Sequence, residues 1–166
     1  KKVIAYNHLI REMVKSIPEL CVGDYATVNS FINAPNGNSY KTDETVLITD
    51  IKERILQNDV SGKYYYLNNS AHGFFMPDNI KDKSKAIAKA KRENSVYTLQ
   101  HIDQNWIDLR ATYASTVNKA QGSTYDKVFV DLDDISKCNS GNTIARMLYV
   151  ACSRPKSKLY LIGDLV

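Results

Sequence analysis

Apolar side chains recur at Val3, Ile4, Tyr6, Leu9, Ile10, Met13, Val14 and Ile17, close to the i, i+3, i+4, i+7 spacing of one helix face, and Pro18 ends the run. The pattern predicts an amphipathic helix over residues 3–17. From Val22 to about Met76 the period shortens, and β-prone runs at Tyr25 to Ile32, Thr45 to Ile51, Lys63 to Leu67 and Gly73 to Met76 are separated by turn residues. Turns are expected at Pro35-Asn36-Gly37 and Val60-Ser61-Gly62, each with a residue able to take positive φ. Several short strands within one stretch predict a small barrel or a twisted sheet of their own.

After Pro77 and Asp78 the helical period returns over Asp82 to Leu109, with Ile87, Ala90, Val96, Leu99, Ile102, Trp106 and Leu109 as apolar members and a break near Asn94-Ser95. The remainder alternates. Strands are expected over Thr112 to Val117, Val128 to Leu132 and Lys158 to Gly163, and a helix over Thr143 to Cys152 with Ile144, Met147, Leu148 and Ala151 on one face. Helices alternating with strands in this way predict an α/β arrangement with parallel strands.

Composition narrows the picture modestly. With 166 residues and 43% hydrophobic content the chain can bury a core. No apolar run reaches the length of a membrane span, and the start, Lys1-Lys2-Val3, has no signal-peptide shape, so the chain reads as soluble, intracellular and cytoplasmic. Cys21, Cys138 and Cys152 are widely spaced and suit packing in a reducing compartment. The net charge of +4 is compatible with a nucleic-acid partner without requiring one. Lys81, Lys83, Lys85, Lys89, Lys91 and Arg92 form the densest basic run, and a solvated helix face accounts for it. The aromatics Tyr64, Tyr65, Tyr66, Phe74 and Phe75 must point to both sides of a sheet; they serve two small cores or a contact with a neighbouring domain or, where exposed, a surface on which bases stack.

The stretch ATYASTVNKAQGSTYD, Ala111 to Asp126, holds the candidate chemistry. A turn at Asn118-Lys119-Ala120-Gln121-Gly122, flanked by the hydroxyls of Ser115, Thr116, Ser123 and Thr124, directs backbone N–H groups outward as phosphate sites do. Spacing alone favours an ordinary turn.

The string TVNKAQGSTYDKVFVDL resembles the motif that precedes the last strands of superfamily 1 helicases, usually written with T, H, K, Q, G and S or T in this order. LYVACSRP, Leu148 to Pro155, followed by the strand KLYLIG, resembles the final helicase motif, and YNHLIRE places Asn7 and Arg11 one turn apart as in an early helix of the second motor domain. The nearest resemblance is to the Dda-like and RecD-like branch. It implies a partial RecA-like parallel sheet with helices (residues 1–20 and 79–166), interrupted by a small all-β Src-homology-3-like barrel inserted at residues 21–78. It implies Arg154 as the catalytic arginine finger on the γ-phosphate of ATP, with Gln121, Gly122, Ser123 and Arg11 as ATP-binding residues. Thr116, Asn118 and Lys119 would meet the DNA; Asn118 stands where the family commonly has His.

The chain contains no G-x-x-x-x-G-K loop ending in Ser or Thr, and Asp133-Asp134 do not stand where the family's magnesium-holding acids do. The expectation is therefore a C-terminal piece of a helicase moving 5′ to 3′ on single-stranded DNA. ATP and magnesium would be used by the complete protein, the magnesium ligands lying elsewhere. Expected partners are single-stranded DNA, an N-terminal RecA-like domain of the same protein, and replication or recombination proteins. The alternative is a nucleic-acid-binding or protein-docking module without ATPase activity.

Overall fold

The computed structural model describes residues 2–34, 37 and 39–165. The expected turn at Pro35-Asn36 lies outside the described residues. The chain is mixed α and β and separates into two compact units, Lys1–Ala114 and Ser115–Val166.

The first unit begins with helix α1, Lys2–Lys15, which stops where Ser16 takes φ 57° ahead of Pro18. Strands β1 (Tyr25–Val28), β4 (Thr45–Gln57), β5 (Val60–Leu67), β6 (Gly73–Pro77) and β7 (Leu109–Ala111) form one antiparallel sheet in the order β6-β5-β4-β1-β7. The short β2 (Ile32–Asn33) and β3 (Ser39–Tyr40) pair separately, so the run expected over Tyr25 to Ile32 is two strands rather than one. Because β7 pairs with β1, the sheet takes a strand from beyond the 21–78 segment.

One expected turn moves. The β4–β5 hairpin turns at Asn58-Asp59, both at positive φ (51° and 62°), with Gln57 opposite Val60, and not at Val60-Ser61-Gly62. Asn and Asp are the residues besides Gly that best tolerate this conformation. Gly62 instead lies in β5, where a Cβ would meet Met76 O at 2.4 Å and the Phe75 ring at 2.5 Å. Its role is close approach between strands, not chain reversal.

The helical region is split as the sequence predicts. Helix α2 (Ile80–Arg92) is capped by the Asn79 side chain, which accepts from Lys81 N at 3.0 Å. The chain breaks at Asn94, φ 50°, and α3 (Val96–Asn105) starts from Ser95, whose hydroxyl accepts from Thr98 N. Leu109 belongs to β7 and not to the helix. The basic run lies on α2, where Lys83 donates to Trp106 O at 2.6 Å, Lys85 pairs with Asp82 and Lys89 with Asp59.

Both faces of the β5–β6 ladder are covered. Tyr65 and Phe74 enter a core with Val28, Ile48 and Leu67, whereas Phe75 packs with Ile102 and Trp106 under α2 and α3, with Tyr64 against it. Phe75 and Trp106 lie 4.8 Å apart between ring centres. The aromatic run thus builds two cores, one per face, as period-2 alternation requires.

The second unit contains β8 (Tyr125–Asp131), the short α4 (Leu132–Ile135), α5 (Gly141–Cys152) and β9 (Pro155–Ile162). Strands β8 and β9 pair in parallel, and Val130, Leu132, Ile135 and Ala151 form the core with Val117, Ile144, Met147 and Leu148 packed against it. The expected strand over Thr112 to Val117 is not formed. Ala114 has its backbone taken by a side chain, described below, rather than by a neighbouring strand. Among the described residues no helix is long and apolar enough to cross a membrane, and all three cysteines are unbridged.

Candidate nucleotide and nucleic-acid site

In the second unit, the segment that resembles a helicase motif is a compact turn held by its own backbone. Thr116 O accepts from Ala120 N at 3.1 Å, Thr116 Oγ1 from Lys119 N at 3.4 Å, Asn118 O from Gln121 N at 3.3 Å and Ala120 O from Ser123 N at 3.1 Å. Val117 points inward against the core and anchors the turn. Thr116, Asn118, Lys119, Gln121, Gly122 and Ser123 are all exposed. Gly122 sits at φ +86° with open space where a Cβ would be, so the conformation, not crowding, calls for glycine there.

Arg154 follows the C-cap of α5, Ser153. Its Nε donates to Val150 O at 3.1 Å and to Ser153 Oγ at 3.2 Å, its Nη2 to Ser153 Oγ at 2.8 Å and its Nη1 to Ser123 O at 3.4 Å. Tyr125 N in turn donates to Arg154 O at 3.0 Å. The parallel pairing of β8 and β9, which sets Tyr125 opposite Pro155, therefore brings the two motif segments together at Ser123 and Arg154. Arg154 is half-buried as a residue, and among the described residues no carboxylate pairs with its guanidinium. A permanently charged planar fork held only by neutral oxygens has spare capacity for an anion.

The remaining sequence candidate, Arg11, belongs to the first unit. It is 2% exposed and spends its donors on Asp24 Oδ2 and on Glu19 O, the latter at 2.7 Å. Burial by itself would lower the Arg11 pKa and raise that of Asp24. The hydrogen bond and charge each gives the other outweigh burial, and for Asp24 the N–H of Cys21 adds a third contribution. The pair is thus held ionised. An ATP contact through Arg11 would require that pair to open.

The first unit also contains a cleft of about 710 Å³ beside α1, lined by Asn7, Arg11, Lys63, Tyr65, Asp108 and Arg110 among others. Its three cations are matched by acids, Arg11 with Asp24, Lys63 with Glu19 at 2.6 Å and Arg110 with Asp108 at 3.1 Å, and the further lining acid Asp78 accepts from the Ser61 hydroxyl at 2.7 Å. Such a lining offers little net attraction to a charged ligand.

Asn7 has a contact that residue patterns do not reveal. Its Nδ2 donates to Ala114 O at 2.9 Å and its Oδ1 accepts from Ala114 N at 2.8 Å, across 107 positions of sequence. Only its one-turn spacing from Arg11 pointed to it. The structure also turns α1 the unexpected way round. Its buried residues are Asn7 and Arg11, while Ile4, Tyr6, Leu9, Met13 and Val14 are exposed, Met13 by 76%.

Residues 111–162 match the family described as UvrD-like helicase C-terminal domain. The matched span runs from the end of β7 through the turn, β8, α5 and Arg154 to the end of β9, and it supports a superfamily 1 helicase C-terminal region there. Among curated proteins, none matches the chain.

For the nucleotide such a region implies, Arg154 offers the charge; in the exposed turn the N–H groups of Gln121 and Ser123 are taken by Asn118 O and Ala120 O rather than directed outward, which leaves the Gln121 and Ser123 side chains and the Gly122 N–H for phosphate oxygens. For magnesium the fit is poorer. Among the described residues no three of His, Cys, Asp and Glu come together as a metal site. Two of the nearby acids also have local tasks, Asp131 capping α4 at Asp134 N and Asp133 accepting from Asp164 N.

Proposed function

We propose that this chain is the C-terminal part of an ATP-dependent DNA helicase, supplying one wall of a nucleotide site whose other wall is a second RecA-like domain. The observation that carries the proposal is the meeting of Arg154 with Ser123, within a span that matches a helicase C-terminal domain. Arg154 would act as the arginine finger, placing its charge against the phosphoryl oxygens that gain charge as the terminal phosphate transfers. Gln121, Gly122 and Ser123 would line the same wall. Thr116, Asn118 and Lys119, one turn earlier, would hold the backbone of single-stranded DNA, so that closure on nucleotide shifts the grip on the strand.

The resemblance to Dda-like and RecD-like helicases supports 5′ to 3′ movement and a RecA-like host at residues 1–20 and 79–166, with a Src-homology-3-like insertion at 21–78. Magnesium supplies charge neutralisation on the phosphates when bound. Its ligands are assigned to the partner domain, as is the loop that cradles the phosphates. A role among replication or recombination proteins follows from the same resemblance.

ATP turnover tests the proposal. The 166-residue chain alone should hydrolyse ATP no faster than buffer, with or without single-stranded DNA, and a protein joining it to a phosphate-loop domain should show DNA-stimulated hydrolysis. Robust turnover by the chain alone would overturn the half-site assignment. No stimulated turnover in the joined protein would overturn the helicase assignment.

A further inference from the structure

The buried face of α1 is polar, and each of its two buried residues holds a different part of the chain. Arg11 takes Glu19 O and the Asp24 carboxylate, where the chain passes from the helix towards β1. Asn7 takes both backbone groups of Ala114, just after β7. A carboxamide presents a donor and an acceptor side by side as a peptide group does, so this contact reproduces a two-bond strand pairing with one residue. Asp would lack the donor, and Leu or Ala would lack both.

We propose that Asn7 is a positioning residue which fixes the backbone at Ala114 and so sets the point from which the Thr116–Ser123 turn departs. Thr116, whose carbonyl and hydroxyl both accept turn hydrogen bonds, is two residues further along the chain. An untethered Ala114 would let the chain ahead of the turn sample many conformations; the tethered residue admits few, and that restriction is what a preorganised binding segment needs. What the turn binds rests on the helicase reading above. The clamp itself does not.

Amide hydrogen exchange on the 166-residue chain tests the clamp directly. The Ala114 N–H should exchange at least about tenfold more slowly than those of Tyr113 and Ser115, which donate no hydrogen bond among the described residues. Asn7→Ala should abolish that difference, and Leu9→Ala, at an exposed position of the same helix, should keep it. Equal exchange at the three amides of the parent chain would overturn the inference, even if Asn7→Ala fails to fold.

In a helicase containing this chain, Asn7→Ala should raise the single-stranded DNA concentration for half-maximal ATPase about fivefold or more, with the KM for ATP within about twofold of the parent. Unchanged DNA dependence would refute the positioning role. A parent protein without DNA-stimulated turnover would instead sink the helicase assignment and leave the Ala114 exchange result to decide the clamp.

Discussion

The carboxylate of Asp24 receives the Arg11 guanidinium where both side chains are almost fully shielded from water, so two full charges share one buried site. Replacing one partner strands the other, and that is the costly way to alter such a pair. Asp24→Ala should destabilise the first unit by about 3–5 kcal/mol, read as a lower midpoint in urea unfolding. A change under about 1 kcal/mol would mean that water reaches Arg11.

The same pair sets a pH dependence. Burial alone would raise the Asp24 pKa, but the hydrogen bonds from Arg11 and Cys21 N–H hold it below its ordinary value. A carboxyl whose folded pKa is depressed contributes stability that is complete above its unfolded pKa of about 3.9 and is lost as pH falls through the lower folded value. The Asp24 contribution should therefore be level from neutral pH down to about 5 and fall away below about 4. The difference in stability between parent and Asp24→Ala, followed by urea unfolding, checks this. A difference that grew on acidification would contradict it.

Two glycines should respond differently to alanine. At Gly62 a Cβ would collide with Met76 O and the Phe75 ring, so Gly62→Ala should cost about 2 kcal/mol or more through displacement of β6. At Gly122 the space is open and only the positive φ opposes a side chain, so Gly122→Ala should cost about 1 kcal/mol. Chemical denaturation midpoints decide the order, and equal midpoints would show that the β5–β6 approach is looser than described.

Local signals were legible in the sequence where they act locally. Asn79 and Ser95 cap helices from one position away, and the break at Asn94 falls where the turn residues stand. The Ser123 and Arg154 neighbourhood was legible for another reason: two motifs carry it, and a parallel pair of strands joins them. The hairpin turn was displaced because Gly62 looks like a turn residue, and only the strand opposite shows that it is needed for close approach. The orientation of α1 was hidden most deeply. Periodicity marks an apolar stripe, yet the positions that are buried are two polar residues whose partners, Asp24 and Ala114, lie 13 and 107 positions away. No window of sequence contains both ends of the second contact.

The most direct test of the central claim is single-turnover hydrolysis of ATP by a helicase containing this chain, with single-stranded DNA present, comparing Arg154 with Arg154→Ala. Because Arg154 is held only by the neutral oxygens of Val150, Ser153 and Ser123, its removal leaves no buried charge behind, and the variant should fold as the parent does. ATP affinity should stay within a few-fold while the hydrolysis rate falls on the order of a hundredfold or more, since the guanidinium acts on charge that develops in the transition state. A folded Arg154→Ala protein that hydrolyses ATP at the parent rate would contradict the assignment of Arg154 to the nucleotide site.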